Sequence, residues 1–236
     1  MINFKTLKLI LGNLFIVSAP IGNFADLTIR ALNTLKESDY IICEDFKTTS
    51  RLLRFFNVQK ELKLLNEHNE KDETIIDEFV VDLLNGKNIS LVSDCGTPVW
   101  ADPGKKLLER CIELKIHLDF INGSNSILAA LVISGFDISR FKYIGFLSQK
   151  KEIRKKELRN LASLKKTFIL LETPYRLNTL IKDIAEELPD RDLFIGLDLT
   201  TKDELHLRGK ASEILSQLSS QNQENLKGEF VILVRK

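Results

Sequence analysis

The chain has 236 residues, 44% of them hydrophobic and 28% charged, which is ample for one large core or two small ones and far from disordered compositions. Its net charge of +1 provides no global field toward nucleic acid, so any such contact has to come from a local patch. The three cysteines, Cys43, Cys95 and Cys111, lack CxxC spacing, which argues against a zinc site or a disulfide framework and fits a reducing cytosol.

No run approaches the ~18 apolar residues of a membrane helix. The opening segment is apolar in patches, interrupted by Lys5 and Lys8 and broken at Gly12-Asn13. It has a weak signal-peptide look, but "LFIVSAP" reads better as part of a first strand, "NLFIVSAP". "DLTIRALNTLKESD" predicts an amphipathic helix, with Asp26 as cap and Leu27, Ala31, Leu32 and Leu35 on one face. Strand "YIICED", helix "TTSRLLRFF", strand "LKLLNEH" and helix "DETIIDEFVVDLLNGK" follow, the last closed by Gly86. Then come strand "NISLVSD", helix "PGKKLLERCIELK" with Pro103 near its first turn, and strand "HLDFING". Five strands alternating with helices predict a mostly parallel sheet covered on both faces.

"SNSILAALVISGF" is an apolar helix ending at Gly135. After it the pattern restarts: strand "FKYIGFL", charged helix "KKEIRKKELRNLAS", strand "KTFILLETP", helix "YRLNTLIKDIAEEL" and strand "LFIGLDLT". A short polar stretch with "LHLRGK", helix "ASEILSQLSSQ" and strand "EFVILVRK" close the chain, and their hairpin-like look predicts a mixed second sheet. The expected architecture is therefore α/β: two tandem α/β domains, over residues 1–123 and 124–236.

Ligands of open α/β sheets bind beyond the carboxyl ends of strands. Here those ends read "SAPIGN", "CEDFKTT", "NEHNE", "SDCGTP", "NGSNS", "ETPYR" and "DLTT". Each carries Gly, Asn, Ser, Thr or an acid; any one suits an ordinary turn, but seven together favour a cleft. There is no GxGxxG, no GxxxxGK[ST], no HExxH and no GxSxG. Of the three histidines, His117 sits at a strand start, His206 is isolated, and His68 within "EHNE" is the functional candidate.

These strand ends are similar to those of the ribosomal RNA small subunit methyltransferase I family, in the tetrapyrrole methylase superfamily. The resemblance runs from Leu14 to Val234 through "FIVSAPIGNFADLTIRALNTLKESDYIICED", "EHNE", "LVSDCGTPVWADPG", "GSNS", "GFLSQKK", "ETPYRL", "DLTT" and "KGEFVILV". "PIGN" followed by "SDxGTPxxxDPG" is a specific pair. The resemblance implies a homodimer, S-adenosylmethionine (SAM) in a cleft between the domains, and 2′-O-methylation of a cytidine in 16S rRNA of the 30S subunit. A cytoplasmic location is expected, and the methyl transfer requires no metal.

On that reading Gly22 and Gly96 let backbone approach SAM, while Pro20 and Pro98 stiffen their loops. Asp94 bonds the ligand or braces its loop. Ser124, Asn125 and Ser126 open a helix whose free amides suit a carboxylate. Gly228 gives the adenine room, and Ile21, Cys95, Thr97, Leu171 and Gly196 complete the expected cofactor set. Asp102 is expected as a helix cap. A ribose hydroxyl must lose its proton, and Glu44, Asp45, His68 and Glu172 are the unranked candidates for the base. Glu44 and Asp45 are adjacent, so only one is expected to face the cleft.

The chain departs from the family pattern in places. Glu-Asp-Thr-Arg-His-Thr becomes Glu44-Asp45-Phe46-Lys47-Thr48-Thr49, and Gly-Pro-Ser becomes Gly123-Ser124-Asn125. Leu197 and Thr201 stand where the family has Arg and Lys, which removes two phosphate contacts. Basic residues remain at Lys47, Arg51, Lys150, Lys151 and Arg154 as expected RNA contacts, although a charge run on a helix also reads as a solvated face. Phe55 and Phe56 are expected in the core. Two other readings stay open, a tetrapyrrole or other small-molecule methyltransferase and a SAM-binding paralogue without turnover.

Overall fold

The computed structural model describes residues 11–220 and 228–235. Lys5, Lys8, Gln221 and Lys236, which the sequence reading placed in the opening segment, a helix and the last strand, lie outside the described residues. The chain divides into two compact units, Met1–Asn125 and Ser126–Lys236.

The first unit holds β1 (Asn13–Val17), β2 (Tyr40–Cys43), β3 (Leu62–Leu64), β4 (Ile89–Val92) and β5 (His117–Ile121). They form one sheet in the order β3-β2-β4-β1-β5, and every pairing is parallel. Strands β2 and β4 are buried along their whole length, which is why they read as unbroken apolar runs rather than alternations. The helices are α1 (Ile29–Glu37), α2 (Phe46–Phe55), α3 (Glu73–Leu84) and α4 (Lys105–Glu113). Leu14, Ile42 and Leu91 pack with Phe79, Leu83 and Leu107 of α3 and α4. Val17, Ile41 and Val92 pack with Leu35 of α1 and Leu52 and Leu53 of α2. Neighbouring strand residues thus serve opposite faces, and each fully buried Leu or Ile contributes about 1.5–3 kcal/mol.

Three local expectations are corrected. Asp26 does not cap α1: it ends a short 3-10 turn, Phe24–Asp26, and the cap is Thr28, whose Oγ1 accepts the Ala31 amide at 3.1 Å. Neither Asp102 nor Pro103 opens α4: the cap is Gly104, at φ 118°. Phe55 is 59% exposed, because α2 turns Leu52 and Leu53 inward and leaves it on the outer side, while Phe56 is partly buried against the core. Cys43 and Cys111 are free and buried, and burial pushes both thiols up to about 11.

The second unit begins with α5 (Ser126–Ser134), after which Gly135 adopts φ 72°. It continues with β6 (Phe141–Phe146), α6 (Lys151–Leu161), β7 (Thr167–Leu171), α7 (Leu177–Glu187), β8 (Asp192–Leu197), β9 (Leu205–Lys210), α8 (Ala211–Ser220) and β10 (Phe230–Val234). The sheet order is β6-β7-β10-β8-β9, with β6 and β7 parallel and the other pairs antiparallel. The polar stretch "LHLRGK" is thus a strand. It forms a hairpin with β8 at the sheet edge, burying Leu207 and exposing Arg208, as edge strands favour charge. Among the described residues no helix is long and apolar enough to cross a membrane.

Candidate functional site

The loops after β1, β4 and β5 are laced together at the carboxyl edge of the parallel sheet. The Ser18 amide donates to Ile121 O at 3.1 Å, and the Ala19 amide to Gly96 O at 2.7 Å. Ser18 Oγ lies 3.1 Å from Thr97 Oγ1, and Ser93 Oγ donates to Cys95 O and Gly96 O at 3.3 and 3.2 Å. The Cys95 thiol reaches Ile21 O at 3.7 Å. Gly123 is obligatory here, since a Cβ would lie 2.8 Å from Ser18 Cβ.

Gly96 differs from Gly123. At φ +77° it favours glycine, and a Cβ would meet Ile21 Cγ2 at 3.4 Å and Ser124 O at 3.8 Å, neither a clash. Gly96 is itself buried. Pro20 and Pro98 are buried beside it and Gly22 is exposed. Asp94 Oδ1 accepts the Asp45 amide at 3.2 Å, so this side chain braces the end of β2 against that of β4. A narrow indentation between Pro20, Phe24, Thr48, Leu52 and Asp94 adjoins it. Pro20, Ile21, Asp94, Cys95, Gly96, Thr97 and Ser124 thus gather at one edge. Asn125 closes the first unit, and Ser126 opens α5.

The acids separate by role. Asp45 caps α2, its Oδ2 accepting the Thr48 amide and hydroxyl at 2.9 Å each, and these bonds hold its carboxyl below the ordinary range. Glu44 is half-buried, and its carboxyl is raised above the ordinary range, first by burial and then by the charge of Asp94. His68 does not end a strand, since β3 stops at Leu64. It stands exposed on a polar turn, where Asn66 Oδ1 accepts its amide at 3.0 Å and Asn69 Nδ2 donates to Leu64 O at 3.1 Å. Glu70 Oε2 on that turn accepts the Gly104 amide at 3.4 Å.

In the second unit Glu172 follows β7 and is 4% exposed. Its Oε1 accepts the Thr173 amide at 2.8 Å, and its Oε2 lies 3.0 Å from Arg176 Nη2. The i,i+4 spacing of Glu172 and Arg176 was the available signal for this pair, and Arg176 carried no role in the sequence reading. Leu171 ends β7 half-buried. Gly196 is buried in β8, where a Cβ would lie 2.9 Å from Leu199 Cδ2. The space beside Gly228 is taken: a Cβ there would overlap the Asp198 carboxylate, which accepts the Glu229 amide at 3.1 Å. Room for an adenine is not what this glycine provides.

Of the expected RNA contacts, Lys47, Arg51, Lys150 and Lys151 are exposed, with Arg51 5.9 Å from the Phe24 ring centre. Arg154 is not a surface cation. It is 3% exposed and pairs with buried Asp183, 2.6 Å from Oδ2 through both Nε and Nη2. Its Nη1 donates to Ser148 O and Gln149 O at 3.2 and 3.1 Å.

The model of the tetrapyrrole (corrin/porphyrin) methylases matches residues 13–215. A ribosomal RNA small subunit methyltransferase I of Thermotoga maritima is 39% identical over 206 residues, 87% of this chain and 91% of that protein. Its namesake in Buchnera aphidicola subsp. Schizaphis graminum is 41% identical over 224 residues, 94% of this chain and 78% of that one. Among solved structures, diphthine synthase superposes with a TM-score of 0.73 at 13% identity, covering 94% of this chain and 89% of that one. Uroporphyrin-III C-methyltransferase of Thermus thermophilus, complexed with S-adenyl homocysteine, gives 0.65 at 16% identity, covering 95% and 98%. Identities this low carry the fold alone, whereas the sequence relatives carry the family. This chain belongs to the ribosomal RNA small subunit methyltransferase I family of the tetrapyrrole methylases.

Proposed function

We propose that the chain is a SAM-dependent methyltransferase that 2′-O-methylates a cytidine ribose of 16S rRNA in the small ribosomal subunit, acting in the cytoplasm as a homodimer. The observation that carries the reading is the turn at Gly96, at φ +77° and tied to the loop after β1 by the Ala19–Gly96 bond of 2.7 Å, at the carboxyl edge of the parallel sheet. A glycine turn at a strand's carboxyl end fits a ligand held by main-chain groups. Ile21, Gly96 and Thr97 would hold the body of SAM, and Ser124 and Asn125 its carboxylate. Asp94, already spent in part on the Asp45 amide, would keep the loop in shape.

When bound, the cofactor supplies an electrophilic methyl group. The rest falls to the chain: it fixes the ribose hydroxyl in line and takes its proton. Glu44 is the assigned base, because its raised carboxyl is closer to the pH of use and therefore a better proton acceptor. Asp45 is occupied as a cap, and Glu172 is engaged by Arg176. Lys47, Arg51, Lys150 and Lys151 would position the RNA backbone. With a net charge of +1, an assembled subunit is expected to be a better substrate than naked RNA.

The test is transfer of tritiated methyl from SAM to 30S particles lacking the modification, followed by alkaline hydrolysis. A 2′-O-methyl group protects the adjacent phosphodiester, so label recovered in alkali-resistant dinucleotides supports the reading. Label on a base refutes the position, and no label on any 30S preparation refutes the activity. A monomer in sedimentation at micromolar concentration counts against the dimer.

A further inference from the structure

The loop that supplies Gly96 and Thr97 goes on to present Trp100, the chain's one tryptophan. It does so under strain: Val99 sits at φ +71° and Ala101 at φ +64°, a conformation that a β-branched residue rarely takes. Such strain persists only where the surroundings over-determine it, and it clusters at binding sites. Here the surroundings are visible. Val99 packs on the cluster that holds Leu91 and Leu107, and the Gly104 amide is held by Glu70. Val99 is thereby turned inward, and Trp100 is 50% exposed. Roughly 100 Å² of indole is left in water on a pinned support, an arrangement that a residue serving only the core would not need.

We propose that Trp100 stacks on a base of the RNA substrate and so holds its nucleotide beside the methyl-transfer site, an inference that rests on the function proposed above. Methylating a ribose requires the sugar to be held, not the base edge to be read. An aromatic face does this for any base, and RNA segments that can be splayed out are commonly gripped in this way. The anchoring of Val99 and Gly104 matters because a stacking platform that moved would lose the in-line geometry.

With one tryptophan in the chain, fluorescence excited at the red edge of the indole band, where the three tyrosines do not absorb, reports this residue alone. Titration with a cytidine-containing single-stranded oligoribonucleotide at low salt should quench it, whereas SAM alone should not. W100A should raise KM for 30S particles about 5- to 100-fold, and W100F, which keeps an aromatic ring, by no more than about 3-fold. SAM affinity by calorimetry and the sedimentation coefficient should stay as they are. Oligoribonucleotide retained on a filter without quenching overturns the proposal, as does an unchanged KM in W100A. An altered sedimentation coefficient would place Trp100 between copies of the chain and overturn it equally. No methyl transfer by the unsubstituted protein would instead sink the proposed function, and the stacking role with it.

Discussion

Asp183→Asn tests whether the basic run after Gln149 is one surface or two things. Arg154 and Asp183 are both 3% exposed at the side chain, with Nε and Nη2 each 2.6 Å from Oδ2. Removing the carboxylate charge leaves a buried guanidinium with neutral partners alone, the Ser148 and Gln149 carbonyls and at best one amide oxygen. Breaking such a pair costs about 3–5 kcal/mol. For a domain of this size that is about 12 to 20 °C in Tm. R154M/D183L, which removes both charges at similar volume, should recover most of the loss, since buried pairs are often no better than apolar replacements. K150E/K151E, on exposed side chains, should stay within about 0.5 kcal/mol of the parent. Thermal unfolding followed by near-ultraviolet circular dichroism reads all three. A D183N protein within about 1 kcal/mol of the parent would refute the buried pair and return Arg154 to the surface.

Gly96→Ala should weaken SAM binding by calorimetry while lowering Tm by only a few degrees, because φ +77° costs a side chain about 1–2 kcal/mol and the Cβ meets no clash; unchanged affinity would remove the Gly96 turn from the site. Glu44→Gln should slow methyl transfer yet stabilise the fold at neutral pH. With a raised folded pKa, the stability from protonating Glu44 is complete below its ordinary 4.5 and is lost as pH rises through the raised value. A Tm difference between the two proteins that stays flat from about pH 4 to about pH 8 would contradict that linkage. K150E/K151E should weaken 30S affinity and flatten its salt dependence with SAM affinity unchanged, and a normal transfer rate on 30S particles would make "KKEIRKK" a solvated face.

What could be read in the sequence was local. "YIIC" and "ISLV" announce buried parallel strands because burial on both faces needs no partner to be named. "SDCGTP" announces a shaped turn because a glycine at positive φ is a property of its own backbone. The errors follow from the same cause. Starting α2 at Thr48 instead of Phe46 hid Asp45 as its cap and left two adjacent acids looking equivalent. "LHLRGK" looked polar because an edge strand buries little, here Leu207 among exposed or half-buried neighbours. Arg154 looked like its lysine neighbours because its partner is 29 residues away and no local pattern marks the pair. Trp100 fell on one of the free positions of "SDxGTPxxxDPG", so the motif that located the loop gave no reason to look at the side chain it displays. A shaped turn, then, can be read from glycine and proline, whereas the side chains displayed around it depend on which way each chain segment faces. That is why the turn at Gly96 could be located from "SDCGTP" alone, whereas the burial of Arg154 and the exposure of Trp100 could not.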